Sequence, residues 1–395
     1  MFDPADPAFL DDPYPAFAAL RERGPVHPHE GLGLPVAVSH AACAAILRDR
    51  SAGRIWRDKE PAAAFPAFNM LHRNSLLEAE PPRHTRLRRL ISAAFGRGHT
   101  ERLKPRVQAI ADAMTGRLAD AIAADGSADL LVHLAAPMPV EVIAELLGVP
   151  TADRPRLQPW SNAIVKMYEY GLPPEGAAAA EAASAEFVAY LTALAEDRAR
   201  HPGDDLVSDL VSVRDGGDRL SADELVGTAV LLLMAGHEAT VNVIGNGVLA
   251  LLRHRDQWDR LVASPALLPT AVEELIRYDA PLQLFERTAT APTTVAGHEL
   301  APGDRIAALL GAAARDPAVF TDPDTLDIGR TPNPHLGFGA GIHYCVGAPL
   351  ARAEVAAALA ALTTRLPDLR LADEPARRPE FVIRGLRELR VTTSG

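Results

Sequence analysis

One cysteine stands where its sulfur could do chemistry. The segment Phe338-Gly-Ala-Gly-Ile-His-Tyr-Cys345-Val-Gly-Ala-Pro-Leu-Ala-Arg352 holds three glycines that let the backbone turn tightly around Cys345, and an amphipathic helical pattern follows at once. Pro349 suits the first turn of that helix, so Cys345 lies just before a helix N-terminus, where free amides and the helix dipole favour a negatively charged sulfur. A lone cysteine of this kind predicts a metal ligand or a nucleophile.

The competing chemistries fit the residues poorly. A Cys-His protease would need a sequence context that Cys345 lacks, and the loop offers no obvious donors for an oxyanion. The glycines from 337 to 341 lack the G-x-G-x-x-G pattern of a dinucleotide site. Because Cys43 is the only other cysteine, a disulfide framework and a cysteine-rich zinc site are also excluded.

A second chemical segment interrupts an apolar run. Gly236-His237-Glu238-Ala239-Thr240 places an ionisable pair inside a helix that the capping box Ser221-Ala-Asp-Glu224 starts and that continues to about His254. Such a helix is roughly 50 Å long. Because a buried charge is costly without a partner or a role, this segment predicts either a functional site or a solvated kink.

The cysteine segment resembles the heme-binding signature of the cytochrome P450 family, F-G-x-G-x-H-x-C-x-G-x-x-L-A-R, at every fixed position. Glu274-Leu-Ile-Arg277 is similar to the E-x-x-R element of this family, whose ion pair braces the fold, and the stretch from Asp327 to Leu336 resembles the segment that leads into the cysteine loop. The resemblance implies a mainly α fold with a small β region, one domain over residues 1–395, and a long central helix over a buried heme.

The resemblance also implies a cofactor and its ligands. Cys345 would be the axial ligand of heme b, with Phe338 beside it, and O2 would bind where Ala235 and Gly236 permit close approach. Four residues match the partners of the heme propionates: His84, Arg88, Arg287 and His343. Electrons would come from NAD(P)H through a ferredoxin reductase and a ferredoxin, and we expect Arg86 and Arg89 to form a docking patch for the acidic ferredoxin.

One position departs from the family pattern. In A-G-x-[D/E]-T-[T/S] the alcohol after the acid helps to deliver protons to bound oxygen, whereas this chain has Ala239 there and Thr240 one residue later. Glu238, ordered water or a substrate hydroxyl would have to supply that function.

This departure leaves three functions open. The first is a monooxygenase that hydroxylates a small organic substrate in bacterial secondary metabolism. The second is oxidative coupling of aromatic rings in a phenolic natural product or a short peptide, and the third is a non-catalytic heme sensor or carrier.

By resemblance, substrate contacts are expected at positions scattered along the chain. They are His72, Asn74, Leu232, Leu282, Gln283, Leu284 and Ile383. The loop around His72 also carries Arg54, Arg57 and Arg73, which would suit a substrate carboxylate or would form an ordinary solvated loop.

Composition excludes several other classes of protein. The chain has 395 residues, 48% of them hydrophobic and 23% charged, and its net charge of −11 offers no global field for nucleic acid or an anionic membrane. Its N-terminus is acidic where a signal peptide would be basic, and its longest notable apolar run, Val226 to Gly236, is too short for the roughly 20 residues of a membrane span. We expect a cytoplasmic protein.

The remaining elements are predicted from periodicity. Prolines in the first fifty residues predict loops and short strands, with an edge strand from Leu34 to Val38. Residues from Arg83 to about Leu252 have helical spacing of apolar side chains. The stretch from Pro173 to Arg200 predicts a mobile pair of helices.

Overall fold

Helices dominate the protein. The computed structural model describes residues 1–95, 98–214 and 217–393. The α-helices are α1 (Pro7–Asp11), α2 (Tyr14–Arg23), α3 (His40–Arg48), α4 (Pro66–Arg73), α5 (Arg83–Phe95), α6 (His99–Asp125), α7 (Pro137–Leu147), α8 (Leu157–Val165), α9 (Pro174–Arg200), α10 (Leu206–Ser212), α11 (Ala222–Arg253), α12 (Arg255–Ala263), α13 (Leu268–Tyr278), α14 (Leu310–Ala313) and α15 (Ala348–Arg365). The strands are β1 (Val26–His27), β2 (Val36–Ala37), β3 (Ala52–Gly53), β4 (Ala128–Asp129), β5 (Leu284–Ala289), β6 (Thr293–Val295), β7 (His298–Leu300), β8 (Arg305–Leu309), β9 (Leu369–Leu371) and β10 (Arg390–Thr393).

The chain divides into two compact units. The first consists of Met1–Gly53, Ala111–Pro137 and Ala239–Gly395, and contains all the strands of the described residues. The second consists of Arg54–Ile110 and Met138–Glu238, and its regular structure is helical. The mainly α fold with a small β region is therefore confirmed.

The largest sheet lies in the first unit. Its strand order is β1-β2-β8-β5-β3, with β2 parallel to β8 and the other pairs antiparallel. Ile46 of α3 packs with Ile306, Ala308 and Leu310 in the apolar core of this unit. The prediction of an edge strand near Val36 is wrong. The strand there, β2, has β1 on one side and β8, which comes much later in the chain, on the other.

The prediction of loops and short strands for the first fifty residues is also wrong in part. Three helices form there, because Pro7 and Pro15 occupy the first turns of α1 and α2, where a missing amide hydrogen costs nothing. The Ser39 hydroxyl caps α3 by accepting a hydrogen bond from the Ala42 amide at 3.2 Å.

The predicted long helix is confirmed as α11, together with its capping box. The Glu224 amide donates to Ser221 Oγ at 3.2 Å, and the Ser221 amide donates to Glu224 Oε2 at 3.0 Å. By length and composition alone α11 could cross a membrane, and it is the one helix of the described residues that passes this test. Its most apolar window is 72% buried inside the protein, as expected for a core helix.

The stretch from Pro173 to Arg200 forms one helix, α9, and the predicted pair of helices is wrong. Gly176 lies in the first turn, where the Leu172 side chain covers it. The alanines and glutamates that follow favour a helix strongly enough to offset the cost of about 1 kcal/mol for one glycine.

Candidate functional site

The cysteine loop is closed by its own backbone. Gly339 and Gly341 have φ angles of 71° and 69°, which an L side chain rarely adopts. The Gly339 amide donates to the Leu336 carbonyl at 2.8 Å, and the Cys345 amide donates to the Phe338 carbonyl at 3.0 Å. These turns hold Cys345 at a fixed place before α15.

The neighbouring helices fix that loop on both sides. A Cβ at Gly341 would overlap the carbonyl oxygen of Leu47 and lie 3.1 Å from the Cα of Arg48, so the loop touches the end of α3. On the other side α15 begins at Ala348, with Pro349 in its first turn. Cys345 itself is exposed, and the nearby N-terminus of α15 favours negative charge on its sulfur.

A network of charged side chains orients Phe338. The Arg352 guanidinium lies 4.4 Å from the centre of the Phe338 ring and donates to Glu273 at 2.6 and 2.9 Å. His335 Nε2 lies 3.0 Å from the same carboxylate. Burial opposes the charge on Glu273, but the hydrogen bonds from Arg352 and His335 prevail and lower its pKa to about 2. Sequence reasoning missed Glu273, although it directly precedes the E-x-x-R element.

Arg277 holds the segment that precedes the loop. It is fully buried and donates to both oxygens of Glu274 at 2.8 Å. Its remaining N–H groups donate to the carbonyls of Ala314, Pro323 and Thr325. All five donors of this guanidinium are therefore used.

Glu274, the ion-pair partner of Arg277, also binds the segment that precedes the cysteine loop. Its carboxylate accepts hydrogen bonds from the Asp327 amide at 3.0 Å, from Arg330 Nε at 3.1 Å and from Asn333 Nδ2 at 3.1 Å. The Glu274–Arg277 ion pair of α13 thus holds residues 314–333 through hydrogen bonds. These residues form the segment that precedes the cysteine loop.

Two of the four predicted propionate partners lie in the same unit as Cys345. Arg287 is buried on β5, and its Nη1 donates to the Glu286 carbonyl at 2.8 Å. His343 lies in the single helical turn Gly341–His343 and is partly exposed.

The other two propionate partners belong to the second unit. His84 is buried on α5, and Arg88 is partly exposed one turn further along the same helix. The binding role of all four residues stays a prediction.

The first half of α11 packs closely in the second unit. A Cβ at Gly236 would lie 3.4 Å from the Cδ1 of Ile143, so this glycine accommodates α7. His237 is buried, and its Nδ1 lies 3.4 Å from Ser161 Oγ. Glu238 is buried too, with its Oε2 4.0 Å from His237 Nδ1.

The second half of α11 belongs to the first unit and begins at Ala239. Thr240 is buried and forms a side-chain hydrogen bond with Glu354, a buried residue of α15. Burial raises the pKa of Glu354 well above its usual range. Sequence reasoning missed Glu354, although its spacing of four residues from Leu350 and from Ala358 places it on the buried face of α15.

His72 lies in an aromatic cluster of the second unit. Its Nε2 lies 2.8 Å from the Tyr168 hydroxyl, and its ring centre is 4.0 Å from that of Phe68 and 4.7 Å from that of Trp56. Burial lowers the pKa of His72, so the imidazole is neutral at neutral pH.

Most of the nearby basic side chains are paired. Arg54 forms an ion pair with Glu78, and Arg73 forms one with Asp58. Asn74 donates to the Met70 carbonyl at 2.9 Å. This loop therefore offers a substrate carboxylate less positive charge than its sequence indicates.

The remaining predicted substrate contacts are buried or partly buried. Leu232 is buried on α11, Leu284 begins β5, and Leu282 pairs with Ile383 in an isolated antiparallel bridge. The Nε2 of the Gln283 side chain donates to the Ala280 carbonyl at 2.7 Å.

The arginines expected to receive the redox partner differ in their surroundings. Arg86 forms ion pairs with Asp218 and Glu224, so acidic groups already neutralise its charge. Arg89 is exposed. The ion pairs of Arg86 reduce the positive charge that it can offer to an acidic partner, and the docking role of Arg86 and Arg89 stays a prediction.

Comparison with known proteins identifies the family. The family model for cytochrome P450 matches residues 177–367. The chain is 42% identical to the cytochrome P450 monooxygenase PikC of Streptomyces venezuelae, over 96% of this chain and 91% of that protein. It is 37% identical to the polyketide biosynthesis cytochrome P450 PksS of Bacillus subtilis, over 100% and 99% of the two chains. The structure of P450BioI in complex with hexadec-9Z-enoic acid ligated acyl carrier protein superposes with a TM-score of 0.91 at 35% identity, over 98% and 99% of the chains. The chain therefore belongs to the cytochrome P450 family, and it is an oxygen-dependent monooxygenase with heme b as its cofactor.

Proposed function

We propose that Cys345 binds the heme iron through its thiolate. The supporting observation is the loop itself, in which glycine turns and a helix N-terminus present an exposed sulfur that no disulfide uses. The same unit supplies Arg287 as a cation for a propionate. Heme bound through a thiolate supplies an iron centre at which O2 is reduced and its O–O bond is cleaved. The residues present fit this cofactor.

The other residues expected around the heme and O2 are proposed because their positions in the sequence match the family pattern. Phe338 would pack beside the cysteine ligand, held by Arg352, and His84, Arg88, Arg287 and His343 would bind the propionates. Ala235 and Gly236 would leave space for O2, and Glu238 and Thr240 would move protons in the absence of an alcohol at Ala239. We propose that both compact units act together as one cytochrome P450 domain of residues 1–395.

The substrate is a small, mostly apolar molecule of bacterial secondary metabolism, of the polyketide or fatty-acyl class. PksS is named for polyketide biosynthesis, and P450BioI forms a complex with an acyl carrier protein that carries hexadec-9Z-enoic acid. In this chain the ion pairs of Arg54 and Arg73 leave apolar contact as the main means of recognition. Hydroxylation is favoured over ring coupling, because a relative that is 38% identical is the vitamin D(3) 25-hydroxylase of Pseudonocardia autotrophica.

Labelled dioxygen tests this function. Macrolide and fatty-acid candidates are first screened by the shift that each causes in the Soret band of the holoenzyme. A binder is then incubated with 18O2, NADPH and a surrogate ferredoxin system. One 18O atom per product molecule is the expected result. A coupled product without 18O would establish ring coupling instead, and the absence of any product across binders would favour a sensor or carrier.

The enzyme receives electrons from redox partner proteins, and we propose a ferredoxin with its reductase. Because the net charge is −11, an acidic ferredoxin needs a local basic surface. Exposed Arg48 lies at the end of α3 that touches Gly341 of the cysteine loop, and the same loop carries exposed Tyr344. Arg48→Glu should slow reduction by ferredoxin at low salt, whereas Arg370→Glu, an exposed arginine of β9, should not. Equal rates for both variants would contradict this docking site. We propose a cytoplasmic location, where such partners occur.

A further inference from the structure

The N-terminal segment, residues 1–17, packs against a segment near the other end of the chain. The rings of Phe2 and Phe9 stack with their centres 4.3 Å apart, and each centre lies 5.5 Å from that of Phe381. These three residues are 9%, 6% and 5% exposed, and all belong to the first unit. Aromatic pairs of this kind are more favourable than the burial of their area alone. The first residues of the chain therefore hold Phe381 in place.

Arg384 joins the same two segments by polar contacts. Its guanidinium donates to the Leu10 and Asp11 carbonyls at the end of α1 and, through Nε, to Asp279 at 2.7 Å. The Tyr14 hydroxyl of α2 donates to the same carboxylate at 2.8 Å. Because the donors of a guanidinium lie in a fixed plane, these bonds fix the orientation of Arg384 as well as its distance from α1.

Backbone contacts connect the anchored segment to residues that are expected to touch the substrate. The Gln283 amide donates to the Val382 carbonyl at 2.9 Å, and Leu282 pairs with Ile383 in the antiparallel bridge. Ile383 is 8% exposed and lies between the two anchored positions. The place of Ile383 and of its partner Leu282 therefore depends on the N-terminal segment.

We propose that the N-terminal segment determines substrate specificity, with Phe2 and Phe9 as positioning residues for Ile383. This inference rests on the proposed function, because Ile383 is expected to contact the substrate. The aromatic contacts order residues 381–384 before a substrate arrives, so binding does not have to fix them. Without these contacts, part of the binding free energy is used to order the segment. The loss should be largest for ligands that are long enough to reach Ile383.

Two azoles of different length test this inference on the holoenzyme. Imidazole is compact, whereas 1-dodecylimidazole adds a long apolar chain, and the shift of the Soret band measures the binding of each. Phe2→Ala should weaken binding of 1-dodecylimidazole by at least about fivefold, because the backbone freedom of about one residue has to be removed again on binding. Binding of imidazole should change by less than about twofold. Phe2→Leu keeps an apolar side chain and should recover most of the lost affinity.

Hydrogen exchange of the holoenzyme without azole measures the ordering directly. In Phe2→Ala the amides of residues 378–386 should exchange at least about fivefold faster than in wild type. Leu369→Ala is the matched control, because Leu369 is fully buried on β9, in the separate sheet β4-β10-β9 of the same unit. This control should lower the free energy of unfolding but leave the exchange of residues 378–386 and both azole affinities at their wild-type values.

The outcomes separate this inference from the proposed function. A purely structural role of Phe2 predicts the same results for Phe2→Ala and Leu369→Ala, and that outcome would overturn the inference. An unchanged ratio of the two azole affinities in Phe2→Ala would overturn it as well, even with faster exchange. If Phe2→Ala fails to fold, Phe9→Leu decides by the same ratio. Absence of a thiolate-type carbon monoxide spectrum in wild type would instead overturn the cysteine assignment, whatever the exchange rates show.

Discussion

Replacing Arg277 by lysine tests how residues 314–333, the segment that precedes the cysteine loop, are held. Arg277 is fully buried and uses all five N–H donors, two on Glu274 and three on the carbonyls of Ala314, Pro323 and Thr325. Lysine has three donors, so at least two hydrogen bonds are lost. At about 1.5–3 kcal/mol for each hydrogen bond to a charged group, the free energy of unfolding should fall by about 3–6 kcal/mol. That is a large share of the roughly 5–15 kcal/mol of a typical protein.

Urea unfolding followed by far-UV circular dichroism measures this loss, and the heme content per chain reports on the cysteine loop. Arg260→Lys is the matched control, because Arg260 pairs with Asp327 of the same segment but is 44% exposed. The control should cost less than about 1 kcal/mol and keep its heme. An Arg277→Lys variant that stays within about 1 kcal/mol of wild type and binds heme fully would refute this role of Arg277.

Two further predictions concern the cysteine loop and its support. Gly341→Ala should destabilise the protein more than Gly33→Ala, because both glycines have positive φ angles but only at Gly341 does a new Cβ overlap the backbone of Leu47. Thermal melts of both variants test this, and equal shifts would refute it. Glu273 has a pKa of about 2, below its ordinary 4.5, so its contribution to stability is present above pH 4.5 and is lost as the pH falls from there toward 2. The difference in urea midpoint between wild type and Glu273→Gln should therefore be largest near neutral pH and shrink in acid, and a constant difference would contradict the network.

Local signals in the sequence predicted the parts of the site that depend on short stretches of chain. The glycines around Cys345, the proline after it and the capping box at Ser221 act through the backbone nearby, and the structure contains each of these features. The E-x-x-R spacing likewise predicts an ion pair within one helix, and Glu274 and Arg277 form it.

Contacts between distant segments could not be predicted in the same way. The bond of Glu354 to Thr240 joins residues 114 positions apart, and neither side chain indicates its partner from its own neighbours. The acids that neutralise Arg86 likewise lie more than a hundred positions away. Pro7 and Pro15 were misleading for a different reason, since proline disfavours the interior of a helix but suits its first turn, where both residues lie.

The difference spectrum of the dithionite-reduced protein with carbon monoxide tests the central claim that Cys345 is the thiolate ligand of the heme. Wild type should show the long-wavelength Soret band of thiolate ligation, and Cys345→Ser should lose it. A band typical of histidine ligation in wild type, or a thiolate band that persists in Cys345→Ser, would contradict the claim.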